Sequence, residues 1–181
     1  MTKRRLIGVD YGTVRVGLPF LDEAARLLSK AGIKEAMIAG ELYQAREDRR
    51  PRVQDVVSTA GRPTAVAELE QLRFAAFDLI SLNGSPPPTA FRETWQKLTK
   101  MLASGTGVHP VEGEWINKPA VVRDLYARWV ETEGAEGLVA RSDAAGSFKI
   151  KPRSVGYRDA ACRRIDGQGA VFISGNDRIA A

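Results

Sequence analysis

Glu41 and Glu136 each stand as a lone acid in an apolar, strand-like stretch with a glycine beside it, in Ala39-Gly-Glu-Leu-Tyr43 and Gly134-Ala-Glu-Gly-Leu-Val139. A carboxylate buried in such a setting is costly unless a positive charge answers it. A neighbouring glycine lets a ligand or another backbone come close. Either acid alone reads first as a strand-edge glutamate facing water, while two in one chain shift the balance towards a shared cation. The stretch Ser147-Phe-Lys-Ile-Lys-Pro152 supplies positive charge. Side chains repeat every two residues along a strand, so Lys149 and Lys151 share a face. At roughly 7 Å apart they span successive phosphates, although a lysine-guarded edge strand is the structural alternative. In Phe74-Ala-Ala-Phe-Asp78, strict alternation puts Phe74, Ala76 and Asp78 on one face and Phe77 on the other. The rings are core residues or stacking surfaces for a nucleobase.

Composition narrows the chemistry. Cys162 is the only cysteine and His109 the only histidine, so disulfide frameworks and Cys/His zinc sites are excluded. Nothing around His109 in the sequence supports a nucleophile pair. Any metal is expected to be a hard cation on carboxylate oxygens, magnesium or manganese. A net charge of +5 and a pI near 9.6 point to an anionic partner. The excess is local: Lys149, Lys151, Arg153, Arg158, Arg163 and Arg164 stand together with only Asp159 opposing them. That run is a solvated face or a phosphate-contacting surface. No apolar run approaches the roughly 18 residues a membrane helix needs. The basic start Met1-Thr-Lys-Arg-Arg5 leads into a stretch too short and polar for a signal sequence, so a cytoplasmic location is expected.

Elements must position these residues. Residues 5–9 and 13–18 read as short strands around the turn Asp10-Tyr-Gly-Thr13. Residues 21–30 have helical spacing in Leu21, Ala24, Ala25 and Leu28, ended by Gly32. A strand over 36–43 follows, then a polar surface loop over 44–63. Residues 74–82 read as a buried strand closed by Asn83-Gly84 and Pro86-Pro-Pro88. Phe91, Trp95, Leu98 and Leu102 predict one helix, and Val121, Leu125 and Trp129 predict another over 120–132, stopped by Gly134. Strands at 138–141 and 148–150 flank a turn at Asp143-Ala-Ala-Gly146. From 153 onward another β unit begins and frays at Ser174-Gly-Asn-Asp177. Irregular mixing of strands with amphipathic helices, and no G-x-G-x-x-G opening a helix, indicate an α+β fold rather than a parallel Rossmann sheet.

Taken in order, these segments resemble the nucleotidyltransferase superfamily, and ATP-dependent DNA ligases in particular. Gly40-Glu41-Leu42 matches a glycine-glutamate-leucine element, and Phe74 to Leu79 with Leu82-Asn-Gly84 matches F-x-x-F-D-L followed by L-N-G. Phe91-Arg92-Glu93 resembles an arginine-bearing helix, Glu136 to Arg141 matches E-G-[LIV]-V-x-[RK], and Lys149 to Pro152 matches K-x-K-P. The resemblance spans residues 17–151. It implies a core of antiparallel sheets with flanking helices over 1–152, and an incomplete OB-like β segment or tail over 153–181. It also implies ATP and Mg²⁺ as cofactors, with adenylyl transfer and nick sealing of a DNA or RNA duplex in repair or recombination. Glu41 would touch the ribose or metal, Glu136 would bind magnesium, Phe77 would stack on adenine, and Lys149 and Lys151 would hold the phosphates. Arg153, Arg158, Arg163 and Arg164 would contact nucleic acid.

The family's nucleophile is the lysine of K-x-D-G, which forms a lysyl-AMP intermediate. The nearest text here is Val9-Asp-Tyr-Gly12, and Ala39 stands where D-G-E-L has its aspartate. The chain therefore reads as a degenerate or N-terminally truncated ligase core that does not adenylate itself. Two other readings stand beside it. Leu6 to Leu18 resembles the opening of RNase H-like Holliday-junction resolvases, with Asp10 as a metal-binding carboxylate of a two-metal nuclease. The other is a non-catalytic nucleotide- or DNA-binding relic.

Overall fold

The computed structural model describes residues 8–10, 13–15, 17–45, 53–61, 66–143, 146–150 and 171–176. They divide between two units, one drawn from Met1–Pro88 and Glu93–Pro110, the other from Thr89–Arg92 and Val111–Ala180.

In the first unit, β1 (Gly8–Asp10) and β2 (Thr13–Arg15) pair antiparallel, Asp10 opposite Thr13. Pro19 opens α1 (Pro19–Lys30), where its missing N–H is no loss, and the helix buries Phe20 and Leu27. After β3 (Ala36–Gln44) the expected polar loop is partly wrong: Val53–Gly61 is a helix, α2. Val53, Val56, Val57 and Ala60 fall at i, i+3, i+4 and i+7. Val56 and Ala60 pack against the cluster of Leu18, Phe20 and Leu72. A single turn, α3 (Val66–Leu69), leads to β4 (Leu72–Leu82), the long central strand.

Asn83 and Gly84 both take left-handed backbone, φ 49° and 77°, the pair a tight two-residue turn demands. Leu82 and Ser85 exchange N–H···O bonds of 2.8 and 3.0 Å across it. The Asn83 side-chain oxygen accepts the amides of Lys34 and Glu35 at 2.9 and 3.2 Å, which fastens the approach to β3. Next come α4 (Phe91–Leu102), burying Trp95, Leu98, Met101 and Leu102, and β5 (Val108–Pro110). The sheet order is β3-β4-β5, with β3 antiparallel and β5 parallel to β4. The parallel pair departs from the wholly antiparallel expectation.

The second unit holds β6 (Gly113–Ile116), α5 (Pro119–Tyr126), a π-helical continuation at Ala127–Thr132, β7 (Gly137–Ser142), β8 (Gly146–Ile150) and β9 (Val171–Asn176). The expected helix over 120–132 is present, but its winding changes at Ala127, and the Thr132 hydroxyl donates to the Ala127 carbonyl at 3.0 Å. Gly134, at φ 75°, ends it as expected. The sheet order is β6-β9-β7-β8, antiparallel throughout. Ser174–Asn176, expected to fray, instead lies in an inner strand, because β9 pairs on both sides. One face of this sheet packs on the two helical segments through Ile116, Val122, Leu125, Trp129, Leu138 and Ala140.

The architecture is α+β. Among the described residues no helix is long and apolar enough to cross a membrane. Lys151, Arg153, Arg158, Arg163 and Arg164 lie outside the described residues.

Candidate functional site

In the first unit, Glu41 sits on β3 opposite Ala75 of β4. Phe77 is the extra residue of a β-bulge: Gly40 pairs with Ala76 and Ala39 with Asp78, so Ala76 and Phe77 together face Gly40. The bulge shifts the two-residue alternation, and Ala75 and Ala76 are consecutively buried. The expected common face of Phe74 and Asp78 therefore does not carry through the strand. The room left by Gly40 is taken from within the fold, because a Cβ there would meet the Phe74 ring and the Ala75 carbonyl oxygen, the latter at 2.6 Å. Phe74 in turn stacks on Phe20, centroids 5.7 Å apart and planes 8° from parallel, so this ring is core. Asp78 accepts the Leu79 amide at 2.9 Å.

Other polar groups of this unit find partners far along the chain. The Glu23 carboxylate accepts the backbone N–H of Thr106, Gly107 and Val108 at 3.0, 2.6 and 2.9 Å, and the Thr106 hydroxyl at 3.2 Å. Burial pushes its pKa up, but these four donors together outweigh that and hold it below the usual carboxylate range. No local signal marks Glu23 in the sequence, since its donors come more than eighty residues later.

His109 is 2.7 Å from the Tyr43 hydroxyl through Nε2 and 3.0 Å from the Pro110 carbonyl through Nδ1. A carbonyl can only accept, so in the neutral ring Nδ1 carries the proton and Nε2 accepts from Tyr43. Burial pushes the Tyr43 phenol up to about 12, with Arg73 pulling partly against it. Tyr43 is almost wholly buried. This pair therefore ties β3 to β5.

In the second unit, Glu136 stands one residue before β7, directly after the turn at Gly134. Lys149 lies on β8 opposite Val139, and Arg141 opposite Ser147. Leu138 and Ala140 point into the core, so alternation turns Val139 and Arg141 to the other face. Ile116 of β6 is also core, which turns Trp115 to that same opposite face.

Phe91 and Arg92, the two residues of α4 that belong to this second unit, meet this face. The Phe91 amide donates to the Asp143 carboxylate, which caps the helix from the β7–β8 turn. The Arg92 guanidinium lies over the Trp115 ring, 4.0 Å from its centroid, and Arg141 lies 4.8 Å from that of Phe91. Arg92 was singled out in the sequence as a helix arginine. Trp115 carried no signal, because the strand that holds it is only four residues long.

Among the described residues no group of three or more His, Cys, Asp or Glu side chains gathers to hold a metal. Magnesium commonly binds through one or two carboxylates plus the phosphates of its substrate. Single acids such as Glu41 or Glu136 are then the donors to consider. Compared with known proteins, the sequence matches no family model and no curated protein.

Proposed function

We propose that the chain is an ATP- and magnesium-binding core of the ligase type, serving adenylyl transfer and nick sealing on a DNA or RNA duplex. The observation that carries this reading is the pairing of β7 with β8. Leu138 to Arg141 of the one motif and Lys149 with Ile150 of the other share one hairpin, with Lys149 opposite Val139. The pairing of β3 with β4 does the same for Gly40-Glu41-Leu42 and Phe74 to Leu79. A bulge at Phe77 adds support, since bulges re-aim side chains beside binding sites.

In this reading the second unit carries the phosphate and metal chemistry. Lys149 and Lys151 neutralise phosphate oxygens as charge-assisted donors, and Glu136 contributes one carboxylate to a magnesium ion that the triphosphate also holds. The covalent step is not assigned to this chain, because the sequence has no K-x-D-G lysine to attack the α-phosphate.

Calorimetric titration of ATP with and without Mg²⁺ tests the reading. Binding that weakens by about 1–3 kcal/mol in Lys149→Ala or Lys151→Ala is expected, as is a loss in Glu136→Ala seen chiefly with magnesium present. No heat at millimolar ATP, or lysine variants that bind as well as wild type, would sink it. Incubation with α-labelled ATP should leave the denatured protein unlabelled.

The β1–β2 hairpin, with Asp10 opposite Thr13, favours a second reading as a resolvase-like nuclease. Magnesium-dependent cleavage of a four-way DNA junction, lost in Asp10→Asn, would establish that instead.

A further inference from the structure

On the face of the second unit's sheet opposite its core, two tilted aromatic rings stand side by side, each with a guanidinium over it. Arg141 lies 4.8 Å from the Phe91 centroid, Phe91 and Trp115 are 6.1 Å apart at 47°, and Arg92 lies 4.0 Å from the Trp115 centroid. Arg92 is exposed and the other three are half-buried, so the stack is reachable from water. The Arg92 guanidinium is exposed over its ring, where its charge and N–H donors can meet a phosphate. Lys149 sits on the same face, opposite Val139, two residues along β7 from Arg141. That puts its row of side chains roughly 7 Å from the stack, near the spacing of successive phosphates.

Rings flanked by cations suit the recognition of single-stranded nucleic acid. Unpaired bases stack on rings and on guanidinium planes, and the backbone phosphates take the N–H donors. A duplex has its bases already stacked on one another and gains nothing from the rings. The net charge of +5 favours a polyanion of this kind. We infer that Arg92, Trp115, Phe91 and Arg141 form a seat for a single-stranded segment of nucleic acid. This inference stands on the geometry of the stack and does not require ATP binding.

The test is fluorescence titration of the full chain with a short oligothymidylate. Trp95 and Trp129 are 9% and 0% exposed, so quenching by base contact reports Trp115. Saturable quenching is expected for wild type. Arg92→Gln should weaken binding about tenfold and flatten the salt dependence by about 0.7 in the slope of log affinity against log salt. Trp115→Phe should abolish the quenching while a labelled oligonucleotide still binds by anisotropy.

No quenching in wild type would overturn the seat. So would unchanged affinity in both Arg92→Gln and Arg141→Gln with unaltered circular dichroism, or equal quenching by a duplex of the same length. ATP titration separates this claim from the nucleotide reading: quenching without ATP heat leaves the seat standing and the nucleotide reading overturned, and the converse does the reverse.

Discussion

The two units spend their polar side chains in opposite ways. In the first, Glu23 is enclosed by the amides at 106–108, Tyr43 by His109, and the Asn83 carbonyl by the amides of Lys34 and Glu35. Gln44, almost wholly buried, donates to Gln71 at 2.8 Å. These contacts join segments distant in sequence and hold helix to sheet and strand to strand. In the second, one sheet face packs on an apolar helical core, and the other carries Trp115, Arg141 and Lys149 with Phe91 and Arg92 upon it. The difference teaches where chemistry can be sought. A polar group enclosed by the fold stabilises it, whereas charge and rings at a surface lie where a ligand can reach them.

That contrast predicts where substitution harms stability and where it harms binding. The largest effect belongs to the second unit's core. Trp129 is fully buried, packed with Leu125, Val122 and Leu138. Trp129→Ala should lower unfolding free energy by about 3–5 kcal/mol, the range for emptying an aromatic site, as read by urea denaturation. A loss under 1 kcal/mol would mean that the covered face is not what holds the unit together.

The next effect falls on the first unit's sheet. Gly40→Ala sets a methyl against the Phe74 ring and the Ala75 carbonyl, and overpacking of this kind costs about 1–3 kcal/mol. Phe74→Leu in the same chain should recover part of that loss. Strict additivity of the two substitutions would show that the ring does not lie over the glycine.

Smaller, and dependent on pH, are the enclosed polar groups. Glu23 is held below its ordinary value near 4.5, so its folded form favours the ionised carboxylate. Its contribution is fully present above that pH and is lost as pH falls through the lower folded value. Glu23→Gln should cost about 1 kcal/mol at neutral pH, since solvent still reaches the carboxylate, and should flatten the acid limb of stability. Tyr43 has the opposite sign. Its phenol is raised from 10.0 to about 12, so the stability it contributes is present below pH 10 and lost between 10 and 12. Tyr43→Phe should remove that alkaline slope, and an unchanged slope would locate the titration elsewhere.

The sequence was readable where order is local. Apolar spacing marks α1 and α4, and a turn between two short apolar runs marks the β7–β8 hairpin. It was opaque where partners are distant. The strand β9 pairs with β6 and β7 across long separations, and nothing in Val171-Phe-Ile-Ser-Gly-Asn176 says that its neighbours lie there. The helix α2 was masked by the charged stretch Arg46 to Arg50 just before it, which made the whole segment read as loop. For the candidate site, the motifs put Glu41 on β3 and Lys149 on β8, while Glu136 falls one residue before β7. It could not foresee that Phe74 fills the space at Gly40, because that depends on a bulge invisible to strict alternation.

The smallest effect on stability should accompany the clearest effect on function. Lys149 is exposed on β8, an outer strand of its sheet, and makes no contribution to the apolar core. Exposed positions of this kind usually change stability by no more than about 0.5 kcal/mol. Lys149→Ala should therefore unfold in urea as wild type does. Its ammonium nevertheless lies on the sheet face that carries Arg141 and Trp115, where a phosphate would meet several positive groups together. Loss of one such donor should weaken ATP binding by about 1–3 kcal/mol. Lys149→Arg keeps the charge and should retain most of the affinity, which separates a charge effect from a change of shape. Paired denaturation and calorimetry on the three proteins decide the matter. If Lys149→Ala loses stability and affinity together, the lysine belongs to the scaffold and the contrast between the units fails at its most exposed point. If stability holds and affinity falls only in the alanine variant, the open face of the second unit is where this chain meets phosphate.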